Sequence, residues 1–395
     1  MLWCFWSALA LIAYTYVGFP LLVLLRALLF PRACRGAPIE PRVTLIVVAH
    51  NEAAAIETKL KNILALNYPR NLLQIIVASD GSSDATNSLV GSYAPRGVEL
   101  LALPRRGKIA ALNDAVVAAN GEVLVFSDAN SMYHPNAICE LVWCLADPQV
   151  GGVAGDQQYS RGTSTADVGE RSYWSFDRLM KRAQSRAGSA TSATGAIYAV
   201  RRSLVHETPD GVTDDFFVST GVIAQGYRLV FAPRAIAYEP AASRGAIEFG
   251  RKVRVATRGF RAVAVRRRLL NPFRHGFYSV QLASHKVLRR LMFGPLALLF
   301  VSSALVWRLG SLYQAAFAAQ VLLYGCALLG GIFAGKRWAN VRLLSLPFYF
   351  ALVNVACAAA AWNVARGHRI DRWDPQRDVP MPLAVAQAAA GGKGS

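Results

Sequence analysis

The sequence predicts an α/β domain with a mostly parallel sheet, framed by α-helical transmembrane segments. Three observations lead there. Hydrophobic residues make up 54% of the 395 and charged residues only 17%, giving a mean hydropathy of +0.29. The charges are lopsided, 43 Lys+Arg against 24 Asp+Glu, for a formal net charge of +19. An apolar chain with so basic a balance is the composition of a membrane protein with a basic cytoplasmic face. Between Pro41 and Gln281, strand-like and helix-like segments alternate, the pattern of a parallel sheet with right-handed crossovers. The same figures exclude a disordered polyelectrolyte. Six cysteines without a CxxC spacing exclude a disulfide scaffold and a zinc ribbon.

Residues 1–30 read as an N-terminal membrane anchor. Only Arg26 is charged in this run, which is long enough to cross ~30 Å of hydrocarbon. No basic residue precedes the apolar stretch, and Phe30-Pro31-Arg32 is a poor cleavage site. The segment is therefore expected to be a retained signal anchor, with Arg32 and Arg35 on the cytoplasmic side.

Residues 41–243 are the expected α/β domain. Val43–Ala49 is a continuous β-branched run, as in a strand covered on both faces. Helical periodicity follows over Glu52–Leu66, then a strand at Leu73–Ser79 and a capped turn at Asp80-Gly-Ser-Ser-Asp84. Val98–Leu103 is a third strand, Lys108–Ala119 a helix, and Val123–Phe126 a fourth strand ending at Asp128-Ala129-Asn130. Each strand ends in polar residues, and ligands of such sheets bind at the carboxyl ends of the strands. No GxGxxG and no GxxxxGK[ST] is present, so the pocket is not a dinucleotide or P-loop site. Carboxylates around one lysine suit a ribose, a base imide and a diphosphate.

Residues 244–285 form a basic segment with ten Lys/Arg between Arg244 and Arg274. Stacking aromatics are sparse there and an apolar run follows closely. An amphipathic helix on anionic headgroups is therefore expected, with a diphosphate or lipid-phosphate contact as a second role and no nucleic-acid partner. Residues 286–365 contain three apolar stretches, Leu291–Trp307, Leu312–Ala334 and Val341–Val364, expected as three transmembrane helices. Residues 366–395 are expected to be a basic, then disordered tail. One span before a cytoplasmic domain and three after it would leave Arg366, Arg369, Arg372 and Arg377 outside, against the positive-inside rule. Either one stretch is interfacial or re-entrant, or the basic tail is tolerated outside.

The motifs occur in a telling order: Ala49-His50-Asn51-Glu52, Ser79-Asp80-Gly81-Ser82-Ser83-Asp84, Gly107-Lys108, Asp128-Ala129-Asn130, Thr194-Gly195-Ala196, Thr213-Asp214-Asp215 and Arg251-Lys252-Val253-Arg254. Together they resemble the GT-A domain of the family 2 glycosyltransferases, in the membrane-bound branch with the cellulose, chitin and hyaluronan synthases. The resemblance implies an inverting enzyme using a nucleotide sugar, with UDP-sugars expected. It assigns Asn51, Glu52, Asp80, Lys108, Asp128 and Asn130 to donor binding and Asp215 to the general base. Thr194 and Gly195 fall on the acceptor loop, and Arg251 and Arg254 near diphosphate or acceptor. A divalent metal, Mg²⁺ or Mn²⁺, is implied at Asp128 and Asn130.

Two departures from the family pattern matter. The D-x-D position reads Asp128-Ala129-Asn130, so an amide stands where a second carboxylate is usual; an amide oxygen binds hard cations but adds no charge. The Q-x-x-R-W position reads Arg251-Lys-Val-Arg254-Val255 and lacks the tryptophan. Addition of one or a few sugars to a glycan or lipid-linked acceptor is thus expected over extrusion of a long polymer. The product would enter envelope or extracellular polysaccharide, from a catalytic domain on the cytoplasmic face of the inner membrane. A polyprenyl-phosphate glycosyltransferase, or a degenerate transferase serving as a scaffold, are the alternatives. The resemblance leaves room for an export or assembly partner protein. Tyr159, Tyr173, Trp174 and Phe176 suit either sugar stacking in an acceptor site or helix packing at the membrane-proximal face.

Overall fold

A computed structural model describes residues 1–159, 165–239, 245–334 and 341–368, without the side chains of 165–174 and 245–248. The tail expected over 366–395 lies outside the described residues beyond His368, as do the side chains of Tyr173 and Trp174. Two compact units are present. One comprises residues 31–159 and 184–239, the other residues 1–30, 165–183 and 245–368. The contiguous domain expected over 41–243 is therefore interrupted: residues 165–183 of the helix Thr165–Ala187 belong to the other unit. The reason is visible in the side chains, since Met180 is buried and lines one cavity there with Phe176, Tyr16 and Phe19. For Phe176, helix packing is the observed role.

The first unit is built on eight described strands: β1 Val43–Ala49, β2 Leu73–Asp80, β3 Val98–Leu103, β4 Val123–Asp128, β5 Met132–Tyr133, β6 Val150–Tyr159, β7 Tyr198–Arg201 and β8 Arg228–Glu239. They form one mixed sheet in the order β3-β2-β1-β4-β7-β6-β8-β5. The strands from β3 to β4 are parallel, as the alternation predicts; β7 runs antiparallel to both β4 and β6. All seven residues of β1 are buried, which is why it reads as an unbroken apolar run. The helix Ala53–Leu64 turns Ala55, Ile56, Leu60 and Ile63 into the core beneath the sheet. Each fully buried Leu or Ile of this kind contributes roughly 1.5–3 kcal/mol. The chain leaves β1 toward β2 and β3 on one side and enters β4 on the other. That reversal opens a crevice at the carboxyl ends of β1 and β4, where Val48 registers with Asp128.

The second unit is helical. Leu2–Leu29, Ser311–Ile332 and Arg342–Ala365 are each long and apolar enough to cross a membrane. The expected span Leu291–Trp307 is different. Its helix, Phe293–Leu305, has 13 residues, about 20 Å at 1.5 Å per residue, and joins Phe277–Leu291 at a bend of 54°. A π-helical turn at Ala283–Val287 and a 3₁₀ turn at Leu288–Leu291 precede the bend, the usual cause of such breaks. The basic helix Gly245–Val265 sets Ala256 against Cys357 and Ala360 of Arg342–Ala365, so part of its apolar face is covered by protein.

Candidate active site

The crevice is lined by loops that follow the strands. Asn51, just past β1, adopts φ +52°, a left-handed conformation that asparagine tolerates better than most residues. Its Oδ1 accepts from Ser83 N at 2.9 Å, and its own N–H donates to Ser82 Oγ at 3.1 Å. Glu52 is buried, with its backbone N–H on Thr86 Oγ1 at 2.8 Å. The loop after β1 is thereby stitched to the loop after β2. Within the latter, Asp84 takes the capping role, accepting from Thr86 N and Ala53 N at 3.0 Å each.

Asp80 is left for something else. Fully buried at the end of β2, its carboxylate accepts from the backbone N–H groups of Arg106 at 2.8 Å and Gly107 at 2.9 Å, and from the Arg105 guanidinium at 2.6 Å. It thus pins the segment that delivers Lys108, while His50 Nδ1 lies 2.8 Å from its main-chain oxygen. Gly81 is required beside it: φ is +61°, and a Cβ there would lie 2.7 Å from Arg105 N.

Lys108 opens the helix Lys108–Ala118. Its Nζ lies 3.0 Å from Asp128 Oδ1 and 3.0 Å from Asp214 Oδ2. Burial works to lower its ammonium's pKa, but the two carboxylates outweigh burial and hold it well above the usual lysine range. Asp128 ends β4, and its other oxygen faces Gly195, where a Cβ would come within 3.0 Å of Oδ2. Without a Cβ, Gly195 leaves this space to the carboxylate. Asn130 is half-buried, and its amide makes no hydrogen bond among the described residues. Asp214 and Asp215 occupy the first turn of Asp214–Ala224, where the helix dipole favours carboxylates. Asp215 Oδ1 accepts from Phe216 N at 2.7 Å. Two buried hydroxyls, Thr194 Oγ1 and Tyr198 Oη, have no hydrogen-bond partner among the described residues, each a cost of about 1–3 kcal/mol that a polar ligand would relieve. Burial raises the Tyr198 phenol's pKa, and Asp214, Asp215 and Asp128 add to the effect.

The structure therefore brings Lys108, Asp128 and Gly195 together, with Asp214 as a fourth member that sequence reasoning left out of the site. The signal was there: two adjacent carboxylates begin one helix, and capping needs only one. Arg251 and Arg254 lie on Gly245–Val265 in the helical unit. No cluster of three or more His, Cys, Asp or Glu suited to hold a metal exists among the described residues. Asp128 and the Asn130 amide nonetheless fit a hard cation that takes its remaining oxygens from a diphosphate, as Mg²⁺ sites with one or two protein ligands do.

Residues 44–208 match the family model described as Glycosyl transferase family 2. They form a family 2 glycosyltransferase domain. The chain is 28% identical over 206 residues to the poly-beta-1,6-N-acetyl-D-glucosamine synthase of Staphylococcus aureus (strain COL), covering 50% of this chain and 49% of that protein. It is 26% identical over 215 residues to the probable glycosyltransferase YdaM of Bacillus subtilis (strain 168), covering 50% of each. The chain thus spans about half the length of the curated relatives it matches. Among solved structures, the mannosyltransferase PcManGT from Pyrobaculum calidifontis, in complex with GDP-Man and Mn²⁺, superimposes with a TM-score of 0.69 at 27% identity, over 91% of this chain and 99% of that one. The glycosyltransferase domain has the GT-A fold that the motifs imply.

Proposed function

We propose that the chain is a membrane-bound, inverting glycosyltransferase that moves a sugar from a nucleotide diphosphosugar to a glycan or lipid-linked acceptor, in the synthesis of envelope or extracellular polysaccharide. The observation that carries this reading is the Lys108–Asp128–Asp214 constellation at the crevice of a family 2 domain whose chain also holds helices able to span a membrane. A scaffold protein has no use for a buried lysine bridging two carboxylates at a ligand crevice.

In this reading Asp215 accepts the acceptor hydroxyl's proton as that oxygen bonds the anomeric carbon from the face opposite the leaving group. The bond from that carbon to the diphosphate oxygen breaks, and the nucleoside diphosphate leaves with the electron pair. Asn51, Glu52 and Asp80 shape the nucleoside end of the crevice, and Lys108 offsets diphosphate charge. Arg251 and Arg254 serve the diphosphate or the acceptor. A divalent cation held by Asp128 and Asn130 would supply further charge neutralisation to the leaving diphosphate. UDP-sugars are the first choice of donor; the likeness to a mannosyltransferase solved with GDP-Man makes GDP-mannose the second.

A re-entrant reading of the bent pair supports one membrane arrangement. If Phe277–Leu305 enters and leaves on one side, one span precedes the catalytic domain and two follow it. Arg366, Arg369, Arg372 and Arg377 then share the cytoplasmic side with Arg32 and Arg35, as the positive-inside rule requires. The deciding experiment is nucleoside diphosphate release by the detergent-purified chain from a panel of UDP- and GDP-sugars, with and without Mn²⁺. Metal-dependent release with one donor, absent in Asp215→Asn, supports the reading. Binding without turnover of any donor, in the presence of membrane lipid extract, would favour the scaffold.

A further inference from the structure

The apolar stripe of the helix Ala53–Leu64 contains one residue that does not belong there. Ala55, Ile56, Leu60 and Ile63 face the core, and Lys59 lies in phase with them, its side chain fully buried. Its Nζ donates to Ser127 Oγ at 2.7 Å and to the main-chain oxygen of Ser131, and sits 4.1 Å from the centre of the Tyr133 ring. Ser127 and Ser131 flank the Asp128-Ala129-Asn130 turn, one on each side. One helical turn further on, Asn62 grips the same segment, donating to Tyr133 O at 2.9 Å and accepting from Tyr133 N at 2.7 Å. From Ser131 a chain of polar contacts runs outward: Ser131 Oγ to Glu239, and Gln157 Nε2 to Glu239 at 2.6 Å and to Tyr159 Oη at 2.9 Å.

Such a lysine is costly. Burial pulls its pKa down to about 7, against Asp128 and Glu239, which raise it. Its two hydrogen bonds offset part of that cost, since Ser131 O would otherwise lack this buried donor. Those bonds fix the backbone on both sides of a turn that must present a carboxylate and an amide to one cation.

Resting on the proposed glycosyltransferase reading, we propose that Lys59 is a positioning residue for the Asp128–Asn130 turn, clamping it from beneath through Ser127 and Ser131 and so setting the turn's affinity for a divalent cation carried with a nucleoside diphosphate. The lysine touches neither donor nor cation. Its work is to hold the two ligating side chains in one relative orientation, which small backbone shifts would spoil.

The test is Mn²⁺ binding to the full-length chain in detergent, read from the loss of the free-ion electron paramagnetic resonance signal, with UDP and then GDP at saturating concentration. Lys59→Met is expected to weaken Mn²⁺ binding about tenfold or more, in the range typical of losses in a metal site's outer shell, with a fall in melting temperature because Ser127 Oγ and Ser131 O lose a buried donor. Ser127→Ala, which keeps the ammonium and removes one clamp bond, is expected to weaken it severalfold; it decides the matter if Lys59→Met does not fold. Unchanged Mn²⁺ affinity in the variant that folds overturns the role of Lys59 while leaving the site reading intact. A wild-type chain that binds no Mn²⁺ with either nucleotide overturns both.

Discussion

Replacing Lys108 by methionine keeps the side chain's length and removes a charge that Asp128 and Asp214 share at 3.0 Å each. At an effective dielectric of about 20, each contact at that distance represents roughly 5–6 kcal/mol of gross attraction. The net loss is smaller, because the orphaned pair can take up a proton. Protonating one carboxylate of ordinary pKa near 4 at pH 7 costs about 4 kcal/mol, which caps the penalty and agrees with the roughly 3–5 kcal/mol seen on breaking buried pairs. For a unit of this size that is a fall of very roughly 6–20 °C in melting temperature. The sign with pH is specific. In the wild type the lysine's pKa is raised, so its stabilisation is fully present below its ordinary value near 10.5 and is lost only as pH rises through the folded one. In the variant two carboxylates face each other without the ammonium, so the penalty is present at neutral pH and recedes in acid, where their like-charge repulsion is relieved. Thermal unfolding of the full chain in detergent, followed by tryptophan fluorescence from pH 5 to 8, reads both. A deficit at pH 5 less than about half that at pH 7 is expected, at ~1.4 kcal/mol per unit. No deficit, or the same deficit at both, refutes the pairing argument.

Three further outcomes are expected. Asp215→Asn leaves nucleotide binding within about twofold and lowers turnover by at least about a hundredfold, as for loss of a general base, whereas Asp214→Asn, by loosening Lys108, weakens nucleotide binding; isothermal titration beside a release assay separates the two. Asn130→Asp adds a carboxylate where only an amide now stands and tightens Mn²⁺ binding, measurable by titration; an unchanged constant means position 130 is not a ligand. Gly195→Ala puts a methyl group 3.0 Å from Asp128 Oδ2, and because a side-chain end can swing away, the melting temperature should change little while Mn²⁺ affinity drops.

Of the four parallel strands, β1 was legible because burial on both faces writes itself as an unbroken apolar run, whereas β3, at the sheet's edge with Glu99 and Ala102 exposed, was legible from its place in the alternation. Val43–Ala49 and Val98–Leu103 have the ends expected from the sequence. Lys108 and Asp128 were legible for the opposite reason, since polar residues that close a buried strand or open a helix stand out against their apolar neighbours. Local pattern, read within about ten residues, thus determined the domain's class, the end of the sheet where polar residues gather, and the charged groups found there apart from Asp214.

What only the tertiary structure decided involves residues far apart in the chain. That Asp80 holds Arg106 and Gly107, that Asp214 completes the lysine's coordination from 106 positions away, and that Gly195 makes room for Asp128 are consequences of which loops meet above the sheet. The clamp from Lys59 belongs here too: helical periodicity marks it as buried, but nothing local says what it would find there. Likewise the apolar run beginning at Leu291 has the composition of a span, and only the bend at its start shows that it is not a straight one. Hydrophobic periodicity is a property of single elements, whereas pairing, close approach and bending depend on the geometry between them, which a linear pattern does not encode.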